Sequence, residues 1–389
     1  MRIAFAMRSI LVVIHRWLGV ITGAIIVIIA VTGSALVFEG AIDRGLNPGL
    51  HRAAPRTATL PLDTLIARAQ SVSRGAPVRS LQIARVAGRS YMAQAGAMQI
   101  FIDPFTGRVL GTRTTADFDK SLPRMLHRIH TSLLAPRRGG GAVVAVCTLA
   151  ALLLLITGVI IWWREKLWRI AWGASWKRIV YDLHHLLGIV AALVLVIITS
   201  SGTIIHFDSL GKGIARIGSG PPALAPQQIA RDAGVTFVSI DSITRAAQRT
   251  LPGASLTFVN FAATPTSPAV VGMRYPEDRT PAGRSRVYVD RFTGSVLRAD
   301  GTRDAATGLK IANQMRSIHT GDILGPPTQM IWLLSAIILA SQAVTGFMMW
   351  YHMRPARVAL DRKAERHAVE RSSVHGESRN SDRPLTPKH

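Results

Sequence analysis

Apolar residues occur along this chain in two distinct patterns. Four stretches are apolar almost without interruption, at 10–38, 142–163, 186–207 and 330–351. A helix rises about 1.5 Å per residue, so roughly 20 such residues cross the hydrocarbon of a bilayer, and each stretch reads as a membrane span. Between the first and second spans, and again between the third and fourth, apolar and polar residues alternate in short runs. "IFIDPFTGRVLG" (100–111) and "VYVDRFTGSVLR" (287–298) each read as two strands around a turn. Asp103 or Asp290 opens the turn, and Gly107 or Gly294 closes it where a positive φ is needed. A helix-period segment precedes each hairpin, "LPLDTLIARAQS" (60–71) or "VSIDSITRAAQRT" (238–250). Each long connection therefore predicts a small α+β unit.

These patterns repeat. The hairpins align without a gap, and all four spans carry a small or hydroxyl residue beside glycine near the end of the apolar run: Thr32-Gly33, Thr157-Gly158, Ser201-Gly202 and Thr345-Gly346. The ordinary use of such pairs is close helix packing in lipid. His15 and Gly33 match His184 and Gly202, and Gly158 matches Gly346. The expected fold is a membrane α-helical four-helix transmembrane bundle built as two tandem repeats, each with an inserted periplasmic α+β domain. The boundaries are a span at 8–38, a domain at 39–125, an interfacial helix with a span at 126–163, a loop at 164–178, a span at 179–207, a domain at 208–315, an interfacial helix with a span at 316–352, and a basic tail at 353–389 expected to be disordered.

Charge gives this bundle a direction. The formal charge is +24, and basic residues of short flanks stay in the cytoplasm. Arg2 and Arg8 precede the first span, Arg164, Lys166, Arg169, Lys177 and Arg178 fill the short link between the second and third, and a basic tail follows the fourth. Both termini are expected in the cytoplasm and both α+β domains outside. The basic excess belongs to membrane flanks, and no nucleic acid is expected as partner. The first apolar run is too long for a signal peptide and no small-residue cleavage site follows it, so it reads as an uncleaved anchor. The single cysteine, Cys147, lies within a span, which excludes a disulfide-stapled domain.

Of 12 histidines, two pairs recur: His15 with His184, and His130 with His319. A bare metal ion would ask for further ligands, and a proton relay for further ionisable groups through the bilayer. Haem iron held by two imidazoles needs one histidine from each of two facing helices and an apolar slot. Gly19 and Gly188 lie one turn from His15 and His184, where a missing side chain leaves room for a flat ring. His130 and His319 are expected on short helices broken from their spans by "PRRGGG" and "GDILGPP". Arg124, Arg128, Arg137, Arg138 and Arg316 crowd this second pair, where they suit haem propionates, an anionic substrate or lipid headgroups. His185, His127 and His206 stand as alternative ligands. There is no G-x-G-x-x-G, iron–sulfur cysteine set or C-x-x-C-H, so an electron donor would be a separate molecule.

"HRWLG" (15–19), the two hairpins, "DLHHLLG" (182–188), "IHTGDILG" (318–325) and the hydroxyl-glycine span ends, in this order and repeated, resemble the PepSY-associated transmembrane family up to about residue 352. The resemblance implies an inner-membrane reductase with two b-type haems per chain, His15, His130, His184 and His319 being axial ligands. It implies electron flow from a cytoplasmic reductase or quinol to a ferric siderophore or other periplasmic acceptor. It also admits a haem-free protein whose PepSY-like domains bind or regulate a periplasmic peptidase, and a sensor that presents the tail to a cytoplasmic partner.

Overall fold

The computed structural model describes residues 2–218, 226, 236–261, 264 and 266–378, with side chains between 7 and 352. The chain opens with α1 (Arg2–Leu36), α2 (Glu39–Leu46), α3 (Pro48–His51) and α4 (Leu62–Val72). Strands β1 (Val78–Gln82), β2 (Tyr91–Ala95), β3 (Met98–Ile102) and β4 (Val109–Thr114) follow, then α5 (Thr115–Asp119), α6 (Leu122–Ser132) and α7 (Gly140–Glu165). The second passage comprises α8 (Trp176–His206), α9 (Asp208–Ala215), α10 (Ile240–Thr250), β5 (Ser255–Asn260), β6 (Ala269–Arg274), β7 (Ser285–Val289), β8 (Val296–Asp300), α11 (Thr307–Thr320) and α12 (Pro326–Ser378). The tail expected to be disordered from 353 lies within α12 as far as Ser378, and from 379 to 389 it lies outside the described residues.

Met7–Leu36, Gly140–Glu165, Trp176–His206 and Pro326–His352 are long and apolar enough to cross a membrane. The protein is membrane-integral. Helix α1 packs against α7 and α12, and α8 packs against the same two, so the four form a ring with α1 and α8 on one diagonal. Ile21, Val31, Leu153 and Leu193 are exposed on its outside, as a lipid-facing surface requires.

The alternating runs form one antiparallel sheet, in the order β4-β3-β2-β1-β5-β6-β7-β8. The sequence pattern predicts two separate α+β units. Instead β1 pairs with β5 through Ser80 to Asn260, Leu81 to Val259 and Gln82 to Phe258. Each strand would otherwise be an open edge, and joining them satisfies both rows of backbone groups. One face is covered by helices: Leu65 and Ala69 of α4 pack with Leu81, Ala93, Ile100 and Ile102, and Ile243 and Ala247 of α10 pack with Val259, Val271, Met273 and Val287.

The two covering helices cap one another. The Asp63 carboxylate accepts the backbone N–H groups of Ile240 and Asp241 at 2.8 and 3.1 Å, and Asp241 accepts those of Leu62 and Asp63 at 3.0 and 3.1 Å. Each acid thus satisfies orphan donors at the positive end of the other helix. Both hairpin turns close as their sequence indicates. Gly107 and Gly294 have φ of +70° and +75°, and Asp103 and Asp290 accept from Phe105 and Phe292 at 2.9 and 2.7 Å.

The opposite face of the first four strands lies beside α2 and α3. There Arg113 donates to Asp43 at 2.8 Å, His51 lies 3.1 Å from the same carboxylate, and a cavity of about 410 Å³ opens beside Gln99 and Phe101.

Helix α6 packs on α1 and α7, and α11 on α8 and α9. Helix α11 ends at Gly321, with φ of +76°. Between α6 and α7 lie Pro136 and Gly139, the latter with φ of +80°, and α6 itself ends before them. Leu133 and Leu134 take φ of +50° and +59°, and their N–H groups return to Ile129 and Arg128 carbonyls. This satisfies the helix end at a cost of about 1–2 kcal/mol for each left-handed leucine.

Candidate functional site

The diagonal of the ring carries His15 on α1 and His184 on α8, with ring centroids 6.4 Å apart. His15 Nδ1 lies 2.8 Å from Thr157 Oγ1 on α7, and His184 Nδ1 lies 2.8 Å from Thr345 Oγ1 on α12. Each threonine hydroxyl already donates along its own helix, to Leu153 and Ser341 carbonyls at 2.7 Å. The hydroxyl oxygen is therefore the acceptor, and the proton of each imidazole sits on Nδ1. The next residue in each case is the glycine against which the ring lies. A Cβ at Gly158 would be 3.3 Å from His15 Cε1, and one at Gly346 would be 3.4 Å from His184 Cε1.

A second pair stands nearer the sheet. His130 on α6 and His319 on α11 have ring centroids 6.2 Å apart. Their Nδ1–H groups donate to main-chain carbonyls of Ile29 on α1 and Ile198 on α8, both at 2.9 Å. Thr32 and Ser201 hydroxyls lie 3.4 Å away. A Cβ at Gly33 would come within 2.9 Å of His130 Cε1, and one at Gly202 within 2.8 Å of His319 Cε1. From His15 to the Ile29 level along α1 is about 21 Å at the helical rise.

All four rings thus have Nδ1 committed and Nε2 left with its lone pair, and no described residue hydrogen-bonds to any of the four Nε2 atoms. That is the state a ligating histidine requires, with the second nitrogen anchored by the shell behind it. An imidazole nitrogen stands about 2.0–2.1 Å from a metal and its ring centre about 1.1 Å further, so two imidazoles on opposite sides of one iron have centres about 6 Å apart. Both pairs meet this spacing.

A cavity of about 600 Å³ lies within the ring around the first pair, lined by Gly19, Gly188, Gly158, Gly346, Leu154 and Phe347 among others. Its size and apolar walls are those of a cofactor site. At Gly19 an added Cβ would make ordinary contact with Leu154, whereas at Gly188 it would lie 3.0 Å from Gln342 Oε1. Gln342 and Arg16 line this space, and among the described residues Gln342 Nε2 and Arg16 Nε are buried with no hydrogen-bond partner. Buried donors left open in this way ask for an acceptor, such as a carboxylate. The residues therefore fit a flat, apolar, iron-bearing ring with acidic edges.

Of the alternative ligands, His185 lines the same cavity, with its ring centroid 5.9 Å from that of His184. His185 bonds the Tyr181 carbonyl at 2.9 Å and turns Nε2 toward Glu165 at 3.8 Å; Glu165 also takes Arg8 and the Tyr181 hydroxyl. His127 lies under the charges of Glu39, Arg124 and Arg316, and His206 packs against Phe207. Arg128 and Arg316 are both exposed, on α6 and α11, and Arg316 acts electrostatically on His319.

Sequence reasoning assigned the four hydroxyl-glycine pairs to helix packing. Here each one holds a histidine. Their recurrence, one for each recurring histidine, was the available signal. Arg8, Arg16 and Gln342 were missed, and only the position of Arg16 beside His15 hinted at its place.

Residues 12–352 match a family described as PepSY-associated TM region. No curated protein matches the chain.

Proposed function

The chain belongs to the PepSY-associated TM region family, and from that premise we propose that it carries electrons across a membrane through two b-type haems, one at each histidine pair. The observation that supports this best is the matched state of the two pairs: four Nδ1–H imidazoles, Nε2 free, at centroid separations of 6.4 and 6.2 Å. Bound haem would supply a one-electron iron couple at each site.

The protein's part is to hold and insulate. Thr157 and Thr345 fix the tautomer of one pair, the carbonyls of Ile29 and Ile198 that of the other, and the adjoining glycines let the Cε1 edge of each ring approach a neighbouring helix. Arg16 and Gln342 are placed to receive acidic edges in the first cavity. Apolar walls exclude water from a site where charge changes by one unit.

In this reading the architecture is two tandem copies in a bacterial inner membrane, with both termini cytoplasmic and the sheet periplasmic. Electrons enter at His15 and His184 from a cytoplasmic reductase or quinol. They leave near His130 and His319 to an acceptor, most simply a ferric siderophore, whose hard oxygen ligands hold ferrous iron less tightly. The test uses proteoliposomes with ferricyanide trapped inside and a membrane-impermeant reductant outside. Bleaching of the trapped acceptor only when the haem-loaded protein is present supports the proposal. Bleaching at the rate of empty liposomes contradicts it.

A further inference from the structure

The half of the sheet formed by β1–β4 carries a cavity of about 410 Å³ on its uncovered face, bordered by Asp43 of α2, His51 of α3 and Phe118 of α5. It takes no part in the histidine sites. Its volume is within the range of small-molecule sites. The second half of the sheet repeats the first in sequence, yet the residues aligned with the cross-strand pair Gln99 and Arg113 of this wall are Arg286 and Asp300. The wall therefore belongs to the first copy alone and is not a by-product of the shared fold.

Charge in the wall cancels. Arg113 donates to both oxygens of Asp43, at 2.8 and 3.4 Å, and His51 Nε2 stands 3.1 Å from the same carboxylate. Burial, together with the guanidiniums of Arg113 and Arg44, keeps His51 below its ordinary value despite Asp43, so near neutral pH it is the uncharged imidazole. A charged ligand would lose its hydration here and gain no free counter-charge.

Hydrogen-bonding capacity, in contrast, is left over. Arg113 Nε–H donates to Gln99 Oε1 at 3.1 Å, which orients that amide and leaves its Nε2–H groups as donors. His51 presents Nε2–H to Asp43, so its Nδ1 is an acceptor. The Ser90 hydroxyl donates to the Leu50 carbonyl at 2.7 Å, and its oxygen remains an acceptor. The Gln82 amide has no hydrogen-bond partner among the described residues and supplies both kinds of group. Beside these polar groups stand Met92 and Phe118, the latter with the Arg113 guanidinium over its ring at 4.4 Å.

We infer that this cavity binds an uncharged, hydroxyl-rich molecule of sugar size. A hydroxyl donates and accepts at once, and so uses adjacent donors and acceptors that a purely accepting oxyanion or a purely donating ammonium cannot. The C–H faces of a sugar ring match Phe118 and Met92. Polar side chains already linked to one another before a ligand arrives lower the ordering cost of binding. The inference is independent of the electron-transfer reading.

The experiment is calorimetry and saturation-transfer difference NMR on the full-length protein in a detergent without a sugar headgroup. Maltose is the main probe, and glucose, glucuronate and glucosamine form a series that differs in charge. Maltose and glucose are expected to bind, and glucuronate and glucosamine to bind more weakly. Gln82→Leu and Gln99→Leu should each weaken maltose binding roughly three- to tenfold, the contribution of one neutral hydrogen bond. Gln82 is exposed on its strand, so its variant is expected to melt with the wild type and keeps the test open should Gln99→Leu, which orphans the Arg113 Nε–H, lower stability. Preference for glucuronate overturns the inference, as does binding of the uncharged peptide N-acetyl-alaninamide ahead of maltose, which would make the cavity a peptide site. Maltose binding unaltered in Gln82→Leu, or no binding of maltose and glucose, overturns it as well.

Discussion

Alanine at Gly202 would place a Cβ 2.8 Å from His319 Cε1, and alanine at Gly346 one 3.4 Å from His184 Cε1. Carbon atoms rest about 3.5–4.0 Å apart, so the first substitution obliges the His319 ring to retreat by about 0.7 Å or more, and the second by only about 0.1 Å. The His319 ring has little freedom to comply, because Nδ1 is tied to the Ile198 carbonyl at 2.9 Å. A metal–ligand bond tolerates about 0.2 Å. Gly202→Ala is therefore expected to lose the haem near the sheet, and Gly346→Ala to keep the other. Gly33→Ala, with a Cβ 2.9 Å from His130 Cε1, should behave like Gly202→Ala, and Gly158→Ala, at 3.3 Å, like Gly346→Ala. Alanine is the better helix former by about 0.8–1.0 kcal/mol, so helix propensity gives no reason for unfolding. The assay is haem stoichiometry by pyridine haemochrome on detergent-purified variants. About one haem per chain for the Gly202 and Gly33 variants, against about two for the others, is the expected result. Two haems and an unchanged spectrum in Gly202→Ala would refute the reasoning.

Other expectations rest on separate parts of the molecule. Thr157→Val and Thr345→Val remove the acceptors behind His15 and His184, and each should speed haem transfer to an acceptor apoprotein by roughly tenfold or more, with no change at the second site. Against burial, which works the other way, the Arg113 hydrogen bond and charge hold Asp43 below its ordinary 3.8, while burial pushes His51 below 6.5. Both folded groups bind protons less readily than the unfolded chain, so their stabilisation is complete above those ordinary values and lost as pH falls through the folded ones. Melts followed by near-ultraviolet dichroism should show stability dropping below about pH 6.5 and again in the carboxylate range, and Asp43→Asn should remove the lower step. At Gly272 a Cβ would lie 2.1 Å from Phe258 Cε1; Gly272→Ala should cost about 1–3 kcal/mol or more by overpacking, and adding Phe258→Ala should restore part of it. Denaturant titration of the single and double variants checks this, and additive losses would count against the contact.

The bundle and hairpins were legible because membrane spans and half-buried strands impose simple periods. Asp103 and Gly107 announced their turn from a few residues. The joining of β1 to β5 was not legible, since edge pairing depends on how two units meet and leaves no local pattern. The same holds for Asp63 and Asp241, each of which caps a helix far from itself in the chain. Within the site, the histidine pairing followed from recurrence, but Thr157 and Gly158 serve a ring on α1 that is remote in sequence. A small residue in a span is ambiguous until its neighbour is known. Leu133 shows the opposite difficulty: nothing local in the sequence marks it as a left-handed helix end, where glycine is the usual residue.

The central claim is that each histidine pair holds one haem. The most direct measurement is an oxidised-minus-reduced spectrum with haemochrome quantitation on the wild type, His15→Ala and His319→Ala. About two b-type haems per chain in the wild type and about one in each variant, with the spectral component lost differing between the two, is the predicted result. A colourless protein from haem-replete cells, or loss of the same component in both variants, would contradict it.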